Sequence, residues 1–518
     1  MTQLLAAAKR HPGPLTMAAV LLMLTVETWK FHAKLPGTGF PWAGWDDQHH
    51  YFVAAQAWAQ GNLDPQLHHY LPGYSLLGAA FMPVLPWQPF LVPDFVCYAA
   101  CLILFCRIAK RLIPGGWAWD LAAPAVFCAT TLGSPMLRAI WLTPWSTTGS
   151  APFLFAALLM ALRAAQMPSW SRIAALGAVL GVCAGFRPSD AAVLMIVCAP
   201  YVAFAQVARG NIGPAVVVRL AGAFGIGLLG GCAPWLIAHI AAHGVAPGTY
   251  VGRMSEIGFE WRLLPLRWVE IVIDSRPLMQ EGPGLAGAYP WIALGIAGLG
   301  AASFEMGAAR PAWRLVAAAI ALHWALYLSY RDLHAQGLWR FHNLHYFKWT
   351  FPFLGLAALR LLVAFRSPAR RRLAAISIAA ALPLFLWRPV LRIADTPALE
   401  EGSPPRITAD LSKVFDAVLL PIKGDWRSIY FSHTALRGKD RVFVSQPDFK
   451  LIPYLDDALL IPLRPLQGPP LQLDMDPKLI LRPGASGHAA MQRIEFGLPC
   501  FIAPSRQACA TAFGGDSG

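Results

Sequence analysis

Apolar runs set the pattern of the chain. They fall near 14–29, 71–89, 92–106, 121–137, 146–162, 173–186, 189–206, 214–241, 289–308, 312–330, 343–365 and 373–393, about twelve in all. Backbone groups in lipid must be satisfied inside the segment, so each run predicts a helix. The run 71–89 is interrupted by Pro83, Pro86 and Pro89, which predicts a broken or re-entrant element. Between the first two runs lies "GWDDQHHYFVAAQAWAQGNLD", Gly44 to Asp64. Asp47 can cap a helix there, Tyr51, Ala54, Ala55 and Trp58 recur at helical spacing, and Gly61-Asn62 stops it. A short helix lying on the membrane surface is expected, with Asp46 and Asp47 at its start. After residue 394 charges, scattered prolines and alternating pieces such as "DRVFVSQ" take over. The expected architecture is an all-α polytopic bundle of about 11–13 transmembrane helices over 1–394. Its first outer loop is 30–70, and a small soluble α/β domain follows over 395–518.

Composition agrees. The 518 residues are 56% hydrophobic and 14% charged, with mean hydropathy +0.47, against about 25% charged in soluble proteins. The 20 tryptophans suit side chains of the membrane interface. A net charge of +14 would raise nucleic acid as a partner in a soluble protein. Here the basic residues stand between apolar runs, where they anchor topology, and no nucleic-acid partner is expected. The N-terminus has a basic start, then an apolar run with no small-residue cleavage site, which predicts an uncleaved first span.

If 71–89 is not one simple crossing, the clusters Lys9–Arg10, Arg107–Arg111, Arg163–Arg172, Arg209, Arg310–Arg314 and Arg366–Arg372 all share one side, the cytoplasmic one. The opposite side then receives 30–70, the turn at 187–188, the loops 243–288 and 331–342, and the C-terminal domain. Seven of the nine cysteines lie in apolar runs without CxxC spacing, as small core residues. The other two, Cys500 and Cys509, flank Pro504 in the polar C-terminal part, and a disulfide between them is expected if that part lies in an oxidising compartment.

The order of features in 40–90 is an acidic pair, a surface helix, a Gly-Asn turn and the re-entry "HHYLPGYSLLGAAFM". It resembles the integral-membrane glycosyltransferases of the GT-C superfamily, which include protein O-mannosyltransferases and bacterial enzymes acting on lipid A or envelope polysaccharides. Weaker echoes are "GVCAGFRPSDAAVLM" (181–195) and "HYFKWTFPFLGLAAL" (345–359). The resemblance implies a polyprenyl-phosphate-sugar donor and an envelope glycan, lipid or protein acceptor. It implies a bacterial inner membrane with the active site on the periplasmic side, and Asp46 as the acceptor base.

Sugar transfer from a lipid phosphate needs a carboxylate to take the acceptor proton, cations to meet the departing phosphate, and an apolar groove for the tail. Asp46 and Asp47 offer the carboxylate. Arg187, Arg340, His342, His345 and Lys348 are the candidate cations, and His68, His69, Tyr70 and Tyr74 the candidate cavity and acceptor residues. No cofactor and no metal ligands are assigned: the pairs His49-His50 and His68-His69 lack the i, i+4 geometry of a helical zinc site. The two aspartates could hold a divalent ion, as in some oligosaccharyltransferases of the superfamily. Plainer readings stand beside these. Asp47 can be only a cap, Arg187 can pair with Asp190 at a helix end, and Lys348 can snorkel to the interface; "WLTPWSTTGS" (141–150) can line the cavity from another helix start, but reads more simply as an ordinary helix N-terminus. The competing functions are a transporter or flippase of lipid-linked saccharide and a non-catalytic assembly subunit.

Overall fold

A computed structural model of the chain describes residues 46–113, 117–210, 213–248, 284–330 and 343–386, some positions between them, and the backbone of short strands between 399 and 493. The helix expected after the first apolar run is α1, Asp46–Ala59, ended by Gly61 at φ 68°, a left-handed stop that a side chain would resist. The re-entry is α2, Pro72–Ala79. Then follow α3 Leu91–Leu112, α4 Trp117–Leu132, α5 Pro135–Leu142, α6 Ser146–Gln166, α7 Trp170–Ala184, α8 Pro188–Val207 and α9 Pro214–His243. The later helices are α10 Pro290–Phe304, α11 Arg310–Leu328, α12 Phe351–Ala364 and α13 Pro368–Leu386. Their starts follow from the sequence: Ser134 and Ser169 cap α5 and α7 with their side chains, and Pro72, Pro188 and Pro214 take the first turn, where no amide hydrogen is missed.

Among the described residues, five helices (α3, α6, α8, α9 and α11) are long and apolar enough to cross a membrane, and α4 with α5, bent by 92° at Gly133-Ser134, makes a sixth if the pair counts as one span. This is fewer than the eleven to thirteen expected, because several apolar runs fold as shorter or more charged helices, such as the 15-residue α7 and α10. The first apolar run is largely outside the described residues. The run 71–89 is not a span: α2 has eight residues, about 12 Å at 1.5 Å per residue, and turns follow it. The chain is an integral membrane helical bundle. It divides into two compact units, one of 1–253, 294–323 and 344–374, the other of 254–293, 324–343 and 375–518.

Small residues let α7 and α9 touch backbone to backbone, the usual device where lipid gives no hydrophobic drive to association. A Cβ at Gly227 would stand 1.9 Å from the Ala174 carbonyl oxygen, and one at Gly181 2.3 Å from that of Leu228. The Gly181 carbonyl also accepts the Trp235 indole N–H at 2.8 Å. The outward side of α9 presents Val218, Ile226, Leu229 and Ile237. Gly227→Ala is therefore expected to cost about 2 kcal/mol or more and to lower the thermal midpoint of detergent-purified protein. Gly230→Ala, where a Cβ meets nothing within 4 Å, should leave it unchanged.

After residue 386 the described residues are strands, all antiparallel. Arg406–Ala409 pairs with Leu471–Met475, and Ala417–Lys423 with Ala458–Pro462. The helical part of the expected α/β domain, and Cys500 and Cys509, lie outside the described residues. Cys97, Cys101, Cys106, Cys128, Cys183, Cys198 and Cys232 are free thiols.

Candidate functional site

Everything in this site belongs to the first unit. The inner face of α1 is pinned to the turn before α6: the Gln48 amide donates to the Pro144 carbonyl at 3.0 Å, and the Tyr51 hydroxyl donates to Ser146 Oγ at 3.1 Å. Above them Tyr70 donates its hydroxyl to the Asp47 carboxylate. Burial and then the Asp47 charge push the Tyr70 and Tyr51 hydroxyls well above the usual phenol range, so both stay protonated donors.

The Pro-Gly of the re-entry has a steric purpose. Gly73 N–H donates to the Gly185 carbonyl at 3.0 Å, and a Cβ at Gly73 would lie 2.6 Å from that oxygen. The loop that carries Tyr70 and Tyr74 is thus laid against the turn that carries Arg187, two stretches more than a hundred residues apart in sequence.

Arg187 stands just before α8, 8% exposed. Its Nη1 donates to Ser146 Oγ at 3.3 Å, its Nε pairs with Asp190 Oδ2 at 3.3 Å, and its guanidinium lies 4.8 Å from the centre of the Tyr346 ring. Asp190 also accepts from Ser150 Oγ at 3.0 Å, and its other oxygen is 3.4 Å from His323 Nε2. That same nitrogen takes the Trp349 indole N–H at 3.0 Å. His345 stacks on Trp145 at 4.0 Å and hydrogen-bonds Thr147 Oγ1 through Nδ1 at 3.1 Å. Lys348 is 1% exposed; its Nζ donates to the Ile140 carbonyl at 2.9 Å and to Thr148 Oγ1 at 2.5 Å, over the face of Trp141. Three consecutive residues at the start of α6, Ser146, Thr147 and Thr148, thus receive Arg187, His345 and Lys348 in turn. Two of these groups come from the stretch before α12 and one from the start of α8.

No family model matches the chain, and no curated protein does. It is similar to two crystal structures of ArnT from Cupriavidus metallidurans. With the one bound to undecaprenyl phosphate the TM-score is 0.43 at 14% identity, over 73% of this chain and 71% of that one. With the apo state it is 0.42 at 15% identity, over 71% and 69%.

The remaining candidates fall in different places. Asp46 begins α1, but its side chain, like Arg340 and His342, lies outside the described residues. His68 is buried and holds the loop together: its Nε2 bonds the Asn62 carbonyl at 2.8 Å, and its own carbonyl accepts from His243 Nε2 at 3.1 Å. His69 stacks on His50 at 4.4 Å, and Tyr250 packs edge-on to Tyr70 at 4.8 Å, a half-buried aromatic shelf beside Asp47. Tyr74 turns inward and donates to Asp94 Oδ1 at 2.7 Å. The structure therefore brings together Asp47, Tyr70, Arg187 and His345 around the start of α6, with Lys348 on another side of the same turn. Sequence reasoning reached Ser146–Thr148 only as part of a stretch that could line the cavity, and missed Tyr51, His323 and Asp94 as site residues. Only Asp94 carried a signal, a lone carboxylate in an apolar run.

Proposed function

We propose that the protein is a membrane glycosyltransferase that moves a sugar from a polyprenyl-phosphate-linked donor to a hydroxyl of an envelope glycan, lipid or protein at the periplasmic face of the inner membrane. In this reading the acidic pair Asp46-Asp47 orients the acceptor, with Asp46 taking the hydroxyl proton as the acceptor oxygen attacks the anomeric carbon. The bond from that carbon to the phosphate oxygen breaks, and polyprenyl phosphate leaves with its added charge. Arg187, with His345 near it, meets that charge; a guanidinium suits the task because it grips phosphate oxygens in a fork. Tyr70 holds Asp47 in place, and the half-buried rings of His50, His69 and Tyr250 suit an acceptor that stacks. The apolar outer helices would carry the prenyl tail.

One observation carries the reading. Ser146 Oγ accepts both from Tyr51 of the helix that begins with the two aspartates and from Arg187 of the Arg-Pro turn. The carboxylate end and the cation end of the proposed reaction thus meet on one residue. Transport of an intact lipid-linked sugar needs no such junction of a surface carboxylate with a phosphate-binding cation.

Proteoliposomes loaded with a polyprenyl-phosphate sugar and a pool of acceptor glycans separate the two. The expected result is donor cleavage with free polyprenyl phosphate accumulating; movement of intact donor between leaflets without cleavage would mean a flippase. Tyr70→Phe removes the hydrogen bond to Asp47 while leaving the ring. Transfer is expected to fall roughly tenfold, the scale of a lost hydrogen bond to a charged group, with the thermal midpoint little changed. An unchanged rate would remove Tyr70 from the machinery.

A further inference from the structure

Asp94 and Lys348 are buried charges of opposite sign, and among the described residues neither forms a direct ion pair. Asp94, 2% exposed, sits in the first turn of α3; one carboxylate oxygen takes the Tyr74 hydroxyl at 2.7 Å, and the other is buried with no hydrogen-bond partner among the described residues. Lys348, 1% exposed, has neutral neighbours at its ammonium among the described residues: a carbonyl, a threonine hydroxyl and the Trp141 ring. A lone charge of either sign inside a helical bundle costs several kcal/mol unless another charge offsets it. Packing places the two within reach of each other's field. Tyr98, one turn on from Asp94, lies edge-on to Trp141 at 5.4 Å, and Lys348 Nζ is 5.1 Å from the centre of the same Trp141 ring. Lys348 acts electrostatically on Asp94, Cys97 and Cys101, which at i, i+3 and i+7 share one face of α3. Arg187 also acts on Lys348, with like charge, which adds to the need for a carboxylate nearby. Arg187 has its own carboxylate in Asp190, so Asp94 is left for Lys348.

We propose that Asp94 and Lys348 are mutual counter-ions inside the bundle, and that Lys348 serves there to neutralise Asp94 rather than as a ligand of the donor phosphate. The pair ties the re-entry helix α2, through Tyr74, to the turn whose Ser146 and Thr147 hold Arg187 and His345. Its functional half rests on the glycosyltransferase reading; the counter-ion half does not.

The test is a double-variant cycle on the full-length, detergent-purified chain: wild type, Asp94→Asn, Lys348→Met, and both together. Thermal unfolding and binding of farnesyl phosphate, a short polyprenyl phosphate without sugar, are the readouts. Each single variant strands one buried charge and should lower the thermal midpoint by on the order of 10 °C. The double variant strands none and should recover to within a few degrees of wild type. It should also bind farnesyl phosphate within about threefold of wild type, because the coupling is confined to the pair. Losses that add in the double variant, single variants as stable as wild type, or a double variant that fails to fold would each overturn the pairing. A stable double variant that binds farnesyl phosphate more than about tenfold more weakly would return Lys348 to the phosphate site. Absence of transfer from any donor by wild type would instead count against the glycosyltransferase reading, while the stability cycle still decides the counter-ions.

Discussion

Asp46→Asn should slow sugar transfer by roughly two to four orders of magnitude, the range a positioned general base supplies. The substitution keeps size and hydrogen-bonding shape and removes only the ability to accept the acceptor proton. Asp46 begins α1 in the first polar loop, so the variant should fold normally, and its thermal midpoint serves as the check. The effect should fall on turnover and leave donor KM nearly untouched, since a general base acts on the acceptor hydroxyl and not on the donor phosphate. Asp47→Asn should lose less, roughly tenfold, because Asp47 serves as the acceptor of the Tyr70 hydroxyl and an asparagine oxygen still accepts that bond. Near wild-type turnover in Asp46→Asn would remove it as the base. A larger loss in Asp47→Asn than in Asp46→Asn would exchange the two roles.

Arg187→Lys should reduce transfer by roughly a hundredfold, the scale of losing one preorganised contact to developing charge. Lysine keeps the charge, so Asp190, 1% exposed, is not left as a buried anion without a countercharge. What lysine lacks is the fork: Arg187 bonds Ser146 through Nη1 and Asp190 through Nε at once, and a single ammonium cannot hold both directions and grip phosphate as well. The loss should appear in both donor KM and turnover, because the phosphate is bound in the ground state and gains charge on leaving. Equal kinetics for Arg187→Lys and wild type would place the donor phosphate elsewhere.

Much of the fold could be read from local signals. Helix starts were legible wherever a serine or proline precedes an apolar run, as at Ser169 before α7 and Pro188 at α8. The three prolines of 71–89 foretold that this run would break. The helix that begins with the two aspartates was legible too, down to its stop at Gly61. What could not be read was pairing over distance. Ser146, Thr147 and Thr148 look like any helix N-terminus, and their partners lie 41, 198 and 200 residues away. Lys348 beside an apolar run reads as a snorkelling side chain, yet it points inward to the Ile140 carbonyl; its direction depends on which helix packs beside it. Gly73 reads as half of a Pro-Gly turn, and only its contact with Gly185 explains why nothing larger fits there.

The most direct test of the central claim is where a polyprenyl phosphate sits. A polyprenyl phosphate bearing a diazirine on the first isoprene unit, next to the phosphate, is photolysed with the native protein in membranes, and the labelled peptides are mapped by mass spectrometry. Label is expected on the stretches around Tyr70–Tyr74, Arg187 and His345–Tyr346, suppressed by excess unlabelled lipid phosphate and strongly reduced in Arg187→Lys. Label that is absent from all three stretches, or that excess lipid phosphate does not displace, would contradict a donor site at the start of α6.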